Sequence, residues 1–146
     1  MYRTIVVGTD CSARADRAVL KAAELAKATG ATLHLVCAYH DSATVLAAVS
    51  TAPGVMATDW RVDAIRDHTS HMDEIAARLR AEGIDVQTRI EEGLPAKALV
   101  SAADTVGADL LVVGDRGLKG VRGLLGSVPN RVTHRACLDV LVVHTS

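Results

Sequence analysis

The sequence predicts an α/β fold in which a five-stranded parallel sheet lies between two layers of helices. Short apolar runs rich in Val and Leu alternate with segments of helical periodicity, in the order βαβαβαβαβ. Phe is absent and only three residues are aromatic, so Val, Leu, Ile and Ala must form the core, as in parallel sheets covered by Ala-rich helices. The 146 residues fit one domain, which we expect to span 1–146.

The composition argues against several classes of function. The formal net charge is −1, so no strong field directs the chain toward nucleic acid or an anionic membrane. The three cysteines are widely spaced, so they form neither a disulfide framework nor a CxxC metal pair. The N-terminal apolar run is far too short for a signal peptide or a transmembrane helix. We therefore expect a soluble cytoplasmic protein in a reducing compartment.

The first quarter of the chain predicts a strand, a helix and a second strand. The β-branched run within Tyr2–Gly8 indicates a buried strand. Ser12 is expected to cap a helix that runs to about Thr29 and stops at Gly30. Thr32–Tyr39 is the second predicted strand.

The segment His40–Asp59 interrupts this regular pattern. It contains Pro53-Gly54 and has no clean period, so we expect a mobile loop beside the ligand site. A second helix is predicted from about Asp59 to just before Gly83. Its apolar stripe consists of Val62, Ile65, Met72, Ile75, Ala76 and Leu79.

The second half of the chain predicts three further strands and two helices. Ile84–Glu91 alternates apolar and polar residues, which indicates a half-exposed strand at a sheet edge. A third helix is predicted over Pro95–Val106, since Pro suits a first helical turn. Leu110–Val113 is apolar on both faces and is therefore expected to be central. A short helix over Ser127–Ala136 and a fifth strand over Val140–Val143 complete the order.

The predicted topology indicates where a ligand would bind. In open parallel sheets, ligands lie beyond the carboxyl ends of the strands, where the strand order reverses. The first and fourth strands end at Gly8 and Gly114. If these strands are neighbours, the crevice lies between Gly8–Ser12 and Gly114–Ser127.

The loop Gly114–Ser127 contains the strongest functional signal. Its glycines, at every third position, let the backbone turn sharply and approach a ligand, and several N–H groups can converge on an anion. The loop ends where a helix is expected to begin, and the N-terminus of a helix favours phosphate. Arg116, Lys119 and Arg122 add positive charge. A phosphate site and a flexible glycine loop with solvated basic residues both account for this pattern.

Five segments resemble one known family: VVGTDCS near the start, EEGLPAKAL in the middle, then ADLLVVGDRG, GSVPNRVTHRA and the closing DVLVVHT. Along essentially its whole length the chain resembles a universal stress protein. Nucleotide-binding members carry Gly, two residues, Gly, nine residues, then Gly-Ser or Gly-Thr. Gly114, Gly117 and Gly126-Ser127 match this motif, but Leu118–Leu125 spans eight residues, so the glycine loop is one residue shorter.

This resemblance implies a Rossmann-like, three-layer α/β/α fold of the adenine nucleotide alpha hydrolase type, and a site for ATP or another adenine nucleotide. Gly8, Thr9 and Asp10 would line the nucleoside pocket, with Asp10 near the ribose or base, and Ala38 would touch the adenine. The phosphates would be surrounded by Gly114, Asp115, Arg116, Gly117, Leu118, Lys119, Gly120, Gly126, Ser127 and Val128. No metal site is predicted apart from Mg²⁺ carried by the nucleotide, which Asp10 and Asp115 could hold.

We expect a regulatory or stress-response role for a protein that binds ATP, AMP or cyclic AMP. The resemblance implies a homodimer in which the edge strands Val140–Val143 of two copies meet antiparallel; protein partners other than a second copy stay open. No catalytic residue is predicted, because neither Ser12 nor Ser127 has a His partner in its own motif, and we do not expect an enzyme. The alternatives are an interaction protein of the same fold that binds no nucleotide, and a weak ATPase.

Cysteine and histidine residues carry weaker signals. Cys37 and Cys137 are expected to be small core residues. Cys11 stands where the family usually has Gly, which adds a thiol next to the pocket. His68 and His71 are three residues apart on a predicted helix, where no nearby carboxylate or Cys completes a metal-ligand set, so we expect a solvated or packed face.

Overall fold

The computed structural model describes residues 1–39, 57–115 and 128–145. The predicted loop at His40–Asp59 therefore lies almost wholly outside the described residues, as does most of the glycine loop. Within the described ranges, no helix is long and apolar enough to cross a membrane.

The described residues form five strands and four helices in the predicted alternating order. Helix α1, strand β2 and helix α3 have the bounds that the sequence predicts, and the other elements differ by one or two residues. The elements are β1 (Thr4–Thr9), α1 (Ala13–Thr29), β2 (Thr32–Tyr39), α2 (Ala57–Ala81), β3 (Val86–Glu92), α3 (Pro95–Val106), β4 (Leu110–Gly114), α4 (Val128–Arg135) and β5 (Asp139–Val143).

The five strands form one parallel sheet in the order β3-β2-β1-β4-β5. The predicted α/β fold is thus confirmed, with β3 and β5 at the edges as expected. Strand β1 pairs with β2 on one side and with β4 on the other, where Ile5 lies opposite Leu110 and Val7 opposite Val112. The strand order therefore reverses between β1 and β4.

Local signals explain why α1 begins and ends where it does. The Ser12 hydroxyl accepts a hydrogen bond from the main-chain N–H of Ala15 at 3.2 Å and so satisfies one free donor of the first turn. At the other end, Gly30 adopts the left-handed conformation (φ 70°), and its N–H donates to the Ala26 carbonyl. Both predicted helix signals are confirmed.

Each face of the sheet is covered by two helices, which gives the three predicted layers. On one face, α1 and α2 pack against Ile5, Val7, Leu33 and Leu35. On the other face, α3 and α4 cover a second set of aliphatic side chains that comes mainly from β1, β2 and β4. The core is therefore built from aliphatic residues, as the absence of Phe implies.

The two cysteines expected in the core have different environments. Cys37 lies on β2 and is buried as predicted. The prediction for Cys137 is wrong, because this residue lies between α4 and β5 and its side chain is exposed. Its apolar neighbours in the sequence belong to the elements on either side, and the connection itself runs along the surface.

We expect Leu35→Ala to lower the free energy of unfolding by about 2–5 kcal/mol, because it leaves a cavity beneath α1 and α2. Leu35 is 0% exposed. Leu20→Ala is the matched control, since Leu20 is 56% exposed and its truncation should change stability by less than about 0.5 kcal/mol. Urea unfolding followed by circular dichroism measures both, and equal effects would contradict the assigned layering.

Candidate functional site

A cleft opens at the carboxyl ends of the strands, between β1 and β4. The enclosed part of the cleft has a volume of about 50 Å³. Its position agrees with the rule that ligands bind where the strand order of a parallel sheet reverses. The lining residues are Gly8, Thr9, Asp10, Ala15, Ala38, Pro95, Leu99, Val113, Gly114, Val128 and Thr145.

Six of the residues predicted for the site line this one cleft. They come from four elements that are far apart in sequence: Gly8, Thr9 and Asp10 at the end of β1, Ala38 on β2, Gly114 on β4 and Val128 at the start of α4. Asp115 is also described, but it does not line the cleft. The other predicted residues, Arg116, Gly117, Leu118, Lys119, Gly120, Gly126 and Ser127, lie outside the described residues.

Five lining residues were missed by the sequence reasoning. Four of them, Pro95, Leu99, Val113 and Thr145, belong to segments quoted for the family resemblance, so their neighbourhood carried a signal. Ala15 and Leu99 are apolar helix residues that pattern alone assigns to the core. Thr145 follows β5, and only the pairing of β5 with β4 brings it to the cleft.

A tight polar turn connects β1 to α1 and forms one wall of the cleft. The Thr9 hydroxyl accepts from the N–H of Cys11, and Asp10 Oδ1 accepts from the N–H of Ser12, both at 3.0 Å. Cys11 adopts a positive φ of 60°, which is uncommon for a residue other than Gly. The helix cap is Ser12, whereas Asp10 holds the turn and keeps its carboxylate at the cleft.

The floor of the cleft has no room for side chains at two glycine positions. A Cβ at Gly8 would lie 2.6 Å from Leu99 Cδ1, and one at Gly114 would lie 3.0 Å from Thr145 Cγ2. The lack of a side chain therefore lets α3 and the segment after β5 close directly onto the strand ends. Packing is therefore a second reason for Gly at these two positions. The first is the close approach of a ligand to the backbone, which the sequence suggested.

Asp115 connects the start of the glycine loop to the segment after β5. Its Oδ1 accepts from the Thr145 hydroxyl at 2.7 Å and from the Thr145 N–H at 3.0 Å, and its Oδ2 lies 2.5 Å from His144 Nδ1. The Asp115 N–H donates to the Val143 carbonyl. Mainly through the Thr145 hydroxyl, these hydrogen bonds lower the pKa of Asp115 to about 2. Both carboxylate oxygens are thus engaged within the protein.

Comparison with known proteins identifies the family. The sequence profile of the universal stress protein family matches residues 1–144. The chain belongs to this family. The predicted resemblance is therefore confirmed.

Individual relatives agree in sequence and in structure. Universal stress protein Rv1636 of Mycobacterium tuberculosis strain H37Rv is 39% identical, and the match covers 99% of this chain and 98% of the relative. A crystal structure of a universal stress protein in complex with cAMP is 38% identical, has a TM-score of 0.75, and the match covers 99% of each chain. The structure of protein MJ0577 is 23% identical with a TM-score of 0.81 over 100% of this chain and 98% of that one, which shows the shared fold.

The cleft of this universal stress protein is mainly apolar along its described lining. Thr9, Asp10 and Thr145 are the polar residues among the eleven lining residues, and Asp10 is the charged one. A mainly apolar lining with a few polar groups is typical of small-molecule sites. The basic residues expected near phosphates, Arg116 and Lys119, lie outside the described residues.

The sequence predicted that the two histidines of α2 lie on either a solvated or a packed face. The structure shows a packed face. His68 Nδ1 lies 3.8 Å from Cys37 Sγ, and His71 Nε2 lies 3.1 Å from Asp16 Oδ1 on α1. The fold thus brings a Cys to one histidine and a carboxylate to the other. In the described parts of the chain, however, no group of three such side chains is arranged to hold a metal ion.

We expect Asp115→Asn to lower the free energy of unfolding at neutral pH by about 1–2 kcal/mol. The folded pKa of Asp115, about 2, lies below its ordinary value of 3.8, so the carboxylate contributes stability above about pH 4. That contribution is lost as the pH falls from about 4 to about 2, and the variant should lack this part of the acid dependence.

Asp73→Asn is the control for this experiment, because Asp73 is an exposed carboxylate on α2. Urea unfolding from neutral pH down to about pH 2 compares the two variants with the parent protein. If Asp115→Asn and Asp73→Asn gave the same acid dependence, Asp115 would not have the stabilising role that its contacts indicate.

Proposed function

We propose that this universal stress protein binds an adenine nucleotide in the cleft between β1 and β4 and has a regulatory, non-enzymatic role in the cytoplasm. The observation that supports this most directly is the convergence of six predicted residues on one cleft. The relative whose crystal structure contains cAMP is similar to this chain over nearly its whole length. ATP, AMP and cyclic AMP are the candidate ligands.

In this proposal the nucleoside occupies the described part of the cleft. The adenine would lie against Ala38, where a small side chain leaves room for a planar ring. Asp10 Oδ1 is engaged by the Ser12 N–H, so Oδ2 would accept a hydrogen bond from a ribose hydroxyl. The Thr145 hydroxyl already donates to Asp115, so it would act as an acceptor toward the ligand.

The phosphates would extend toward the start of α4. Val128, the first residue of that helix, lines the cleft, so the N-terminus of α4 lies at its rim. Gly126 and Ser127 immediately precede it, and Arg116 and Lys119 would supply positive charge. Because the glycine loop is one residue shorter than the family motif, AMP and cyclic AMP are candidate ligands beside ATP.

A Mg²⁺ ion carried by ATP would be near Asp10, since both oxygens of Asp115 are engaged.

We expect Ala38→Leu to weaken adenine-nucleotide binding by at least tenfold, because the longer side chain would fill the space proposed for the adenine. Calorimetry with ATP, AMP and cyclic AMP measures the affinities and ranks the three ligands. Ala81→Leu is the matched control, since Ala81 is exposed at the end of α2 and lies far along the chain from the lining residues.

The outcomes of this experiment separate the candidate functions. Unchanged affinity in Ala38→Leu would mean that the nucleotide binds elsewhere. Failure of the parent protein to bind any of the three nucleotides would instead favour an interaction protein with the same fold. Steady release of phosphate from bound ATP, lost in Asp10→Ala, would favour a weak ATPase.

We further propose that two copies associate through β5. Among the described residues this strand pairs with β4 alone, and it lies at the edge of the sheet. Val142 is 42% exposed although it lies within a strand of mostly apolar residues. An apolar edge strand favours pairing with another chain, and an antiparallel contact between two β5 strands has the two-fold symmetry common in homodimers.

We expect Val142→Lys to shift a dimer toward monomer, since two charges would then face each other across the strand pair. Light scattering coupled to size-exclusion chromatography measures the mass. Leu94→Lys is the control. Leu94 directly precedes α3 and is 48% exposed, so this variant tests whether any added surface charge has the same effect. A monomeric parent protein, or a dimer that persists in Val142→Lys, would contradict the proposed interface.

A further inference from the structure

The thiols of Cys11 and Cys37 lie side by side next to α2. Cys37 is buried on β2, where it pairs in register with Thr9 of β1, and Cys11 follows two residues after Thr9. Cys11 packs against the apolar cluster that contains Cys37, and both thiols are free. Both also contact His68: Cys11 Sγ is 3.7 Å from its carbonyl oxygen, and Cys37 Sγ is 3.8 Å from its Nδ1.

The backbone of Cys11 is held in an unfavourable conformation at this place. A positive φ is unfavourable for a residue with a Cβ, and Gly avoids this strain. The turn keeps this conformation through hydrogen bonds from the N–H groups of Cys11 and Ser12 to Thr9 and Asp10. A Gly here would relieve the strain but would remove the thiol beside Cys37.

The contact between the two thiols changes their acidity. The hydrogen bond from the Cys11 thiol lowers the pKa of Cys37, because it stabilises the thiolate. The same hydrogen bond, together with burial, raises the pKa of Cys11. Loss of the Cys37 proton would therefore leave a thiolate beside the Cys11 thiol. This is the arrangement from which disulfides form.

We propose that Cys11 and Cys37 are a redox site that hydrogen peroxide converts reversibly to an intramolecular disulfide. The thiolate of the pair attacks a peroxide oxygen, the O–O bond breaks, and the sulfur becomes a sulfenic acid while the leaving oxygen is protonated to water. The second thiol attacks that sulfur, so the S–S bond forms, the S–O bond breaks and a second water leaves. Two electrons pass from the sulfurs to hydrogen peroxide, and both thiol protons end in water.

A disulfide at this place would affect the proposed ligand site, and this consequence depends on the proposed function. Cys11 follows Asp10 and Cys37 precedes Ala38, and both of these neighbours line the cleft. A disulfide brings two sulfurs to about 2 Å, closer than a thiol contact. The bond would therefore connect the turn after β1 covalently to β2 and would change the positions of Asp10 and Ala38.

The primary experiment oxidises the Cys137→Ser variant with hydrogen peroxide, because the exposed Cys137 thiol would otherwise form links between molecules. After oxidation, alkylation is carried out in denaturant, because Cys37 is buried in the folded protein. We expect both remaining thiols to resist alkylation there, and to be alkylated again after treatment with dithiothreitol. Peptide mapping under non-reducing conditions should show the Cys11–Cys37 crosslink. In the matched variant Cys11→Ser/Cys137→Ser, no crosslink forms and Cys37 stays available to alkylation or is converted to a sulfinic acid.

Two results would overturn the proposal: thiols that stay fully alkylatable at peroxide concentrations that oxidise free cysteine, or oxidation to sulfinic and sulfonic acids without a crosslink. These readouts need no nucleotide, so they stand whether or not the cleft binds one.

If the parent protein binds a nucleotide, calorimetry on the oxidised and reduced Cys137→Ser variant should show at least a threefold difference in affinity. Equal affinities would exclude the coupling to the cleft while leaving the redox site established.

Discussion

The pairing of β1 with both β2 and β4 is the constraint on which the cleft depends. Because β1 is hydrogen-bonded along both edges, its side chains are buried on both faces, and helices must cover the sheet on both sides. After β1 the chain continues into α1 on one face, whereas α4, the next described element after β4, lies on the other face. The cleft lies between these two strand ends.

Small residues at the strand ends shape this space. At Gly8 the missing Cβ admits Leu99 from α3, and at Gly114 it admits Thr145 from the segment after β5. Asp115 then holds Thr145 through two hydrogen bonds. The proposed nucleotide cleft is consequently in contact with the segment that follows the proposed dimer strand, so the two proposed properties share one structural element.

The turn from Thr9 to Ser12 serves several purposes within four residues. Ser12 caps α1, Asp10 holds the turn and presents a carboxylate to the cleft, and Thr9 fixes the strained backbone of Cys11. These local hydrogen bonds keep the Cys11 thiol next to Cys37. The same short segment thereby links the start of a helix, the wall of the cleft and the proposed redox pair.

The sequence by itself determined the elements whose signals are local. The bounds of α1 and α3 were predictable because Ser12, Gly30 and Pro95 act within one turn of the backbone, and the β-branched or alternating runs identified all five strands. Six lining residues of the cleft were also predictable: five lie in the segments quoted for the family resemblance, and the resemblance implied the sixth, Ala38.

Tertiary structure alone decided the rest. Thr145 reaches the cleft only because β5 pairs with β4, and Leu99 does so only because α3 packs over Gly8. Cys137 has the apolar character of a core residue, yet the fold places it in an exposed connection. Cys11 and Cys37 are far apart in sequence, and it is the register between β1 and β2 that brings their thiols together. The physical reason is that contacts across a sheet depend on strand order and register, which local sequence patterns do not contain.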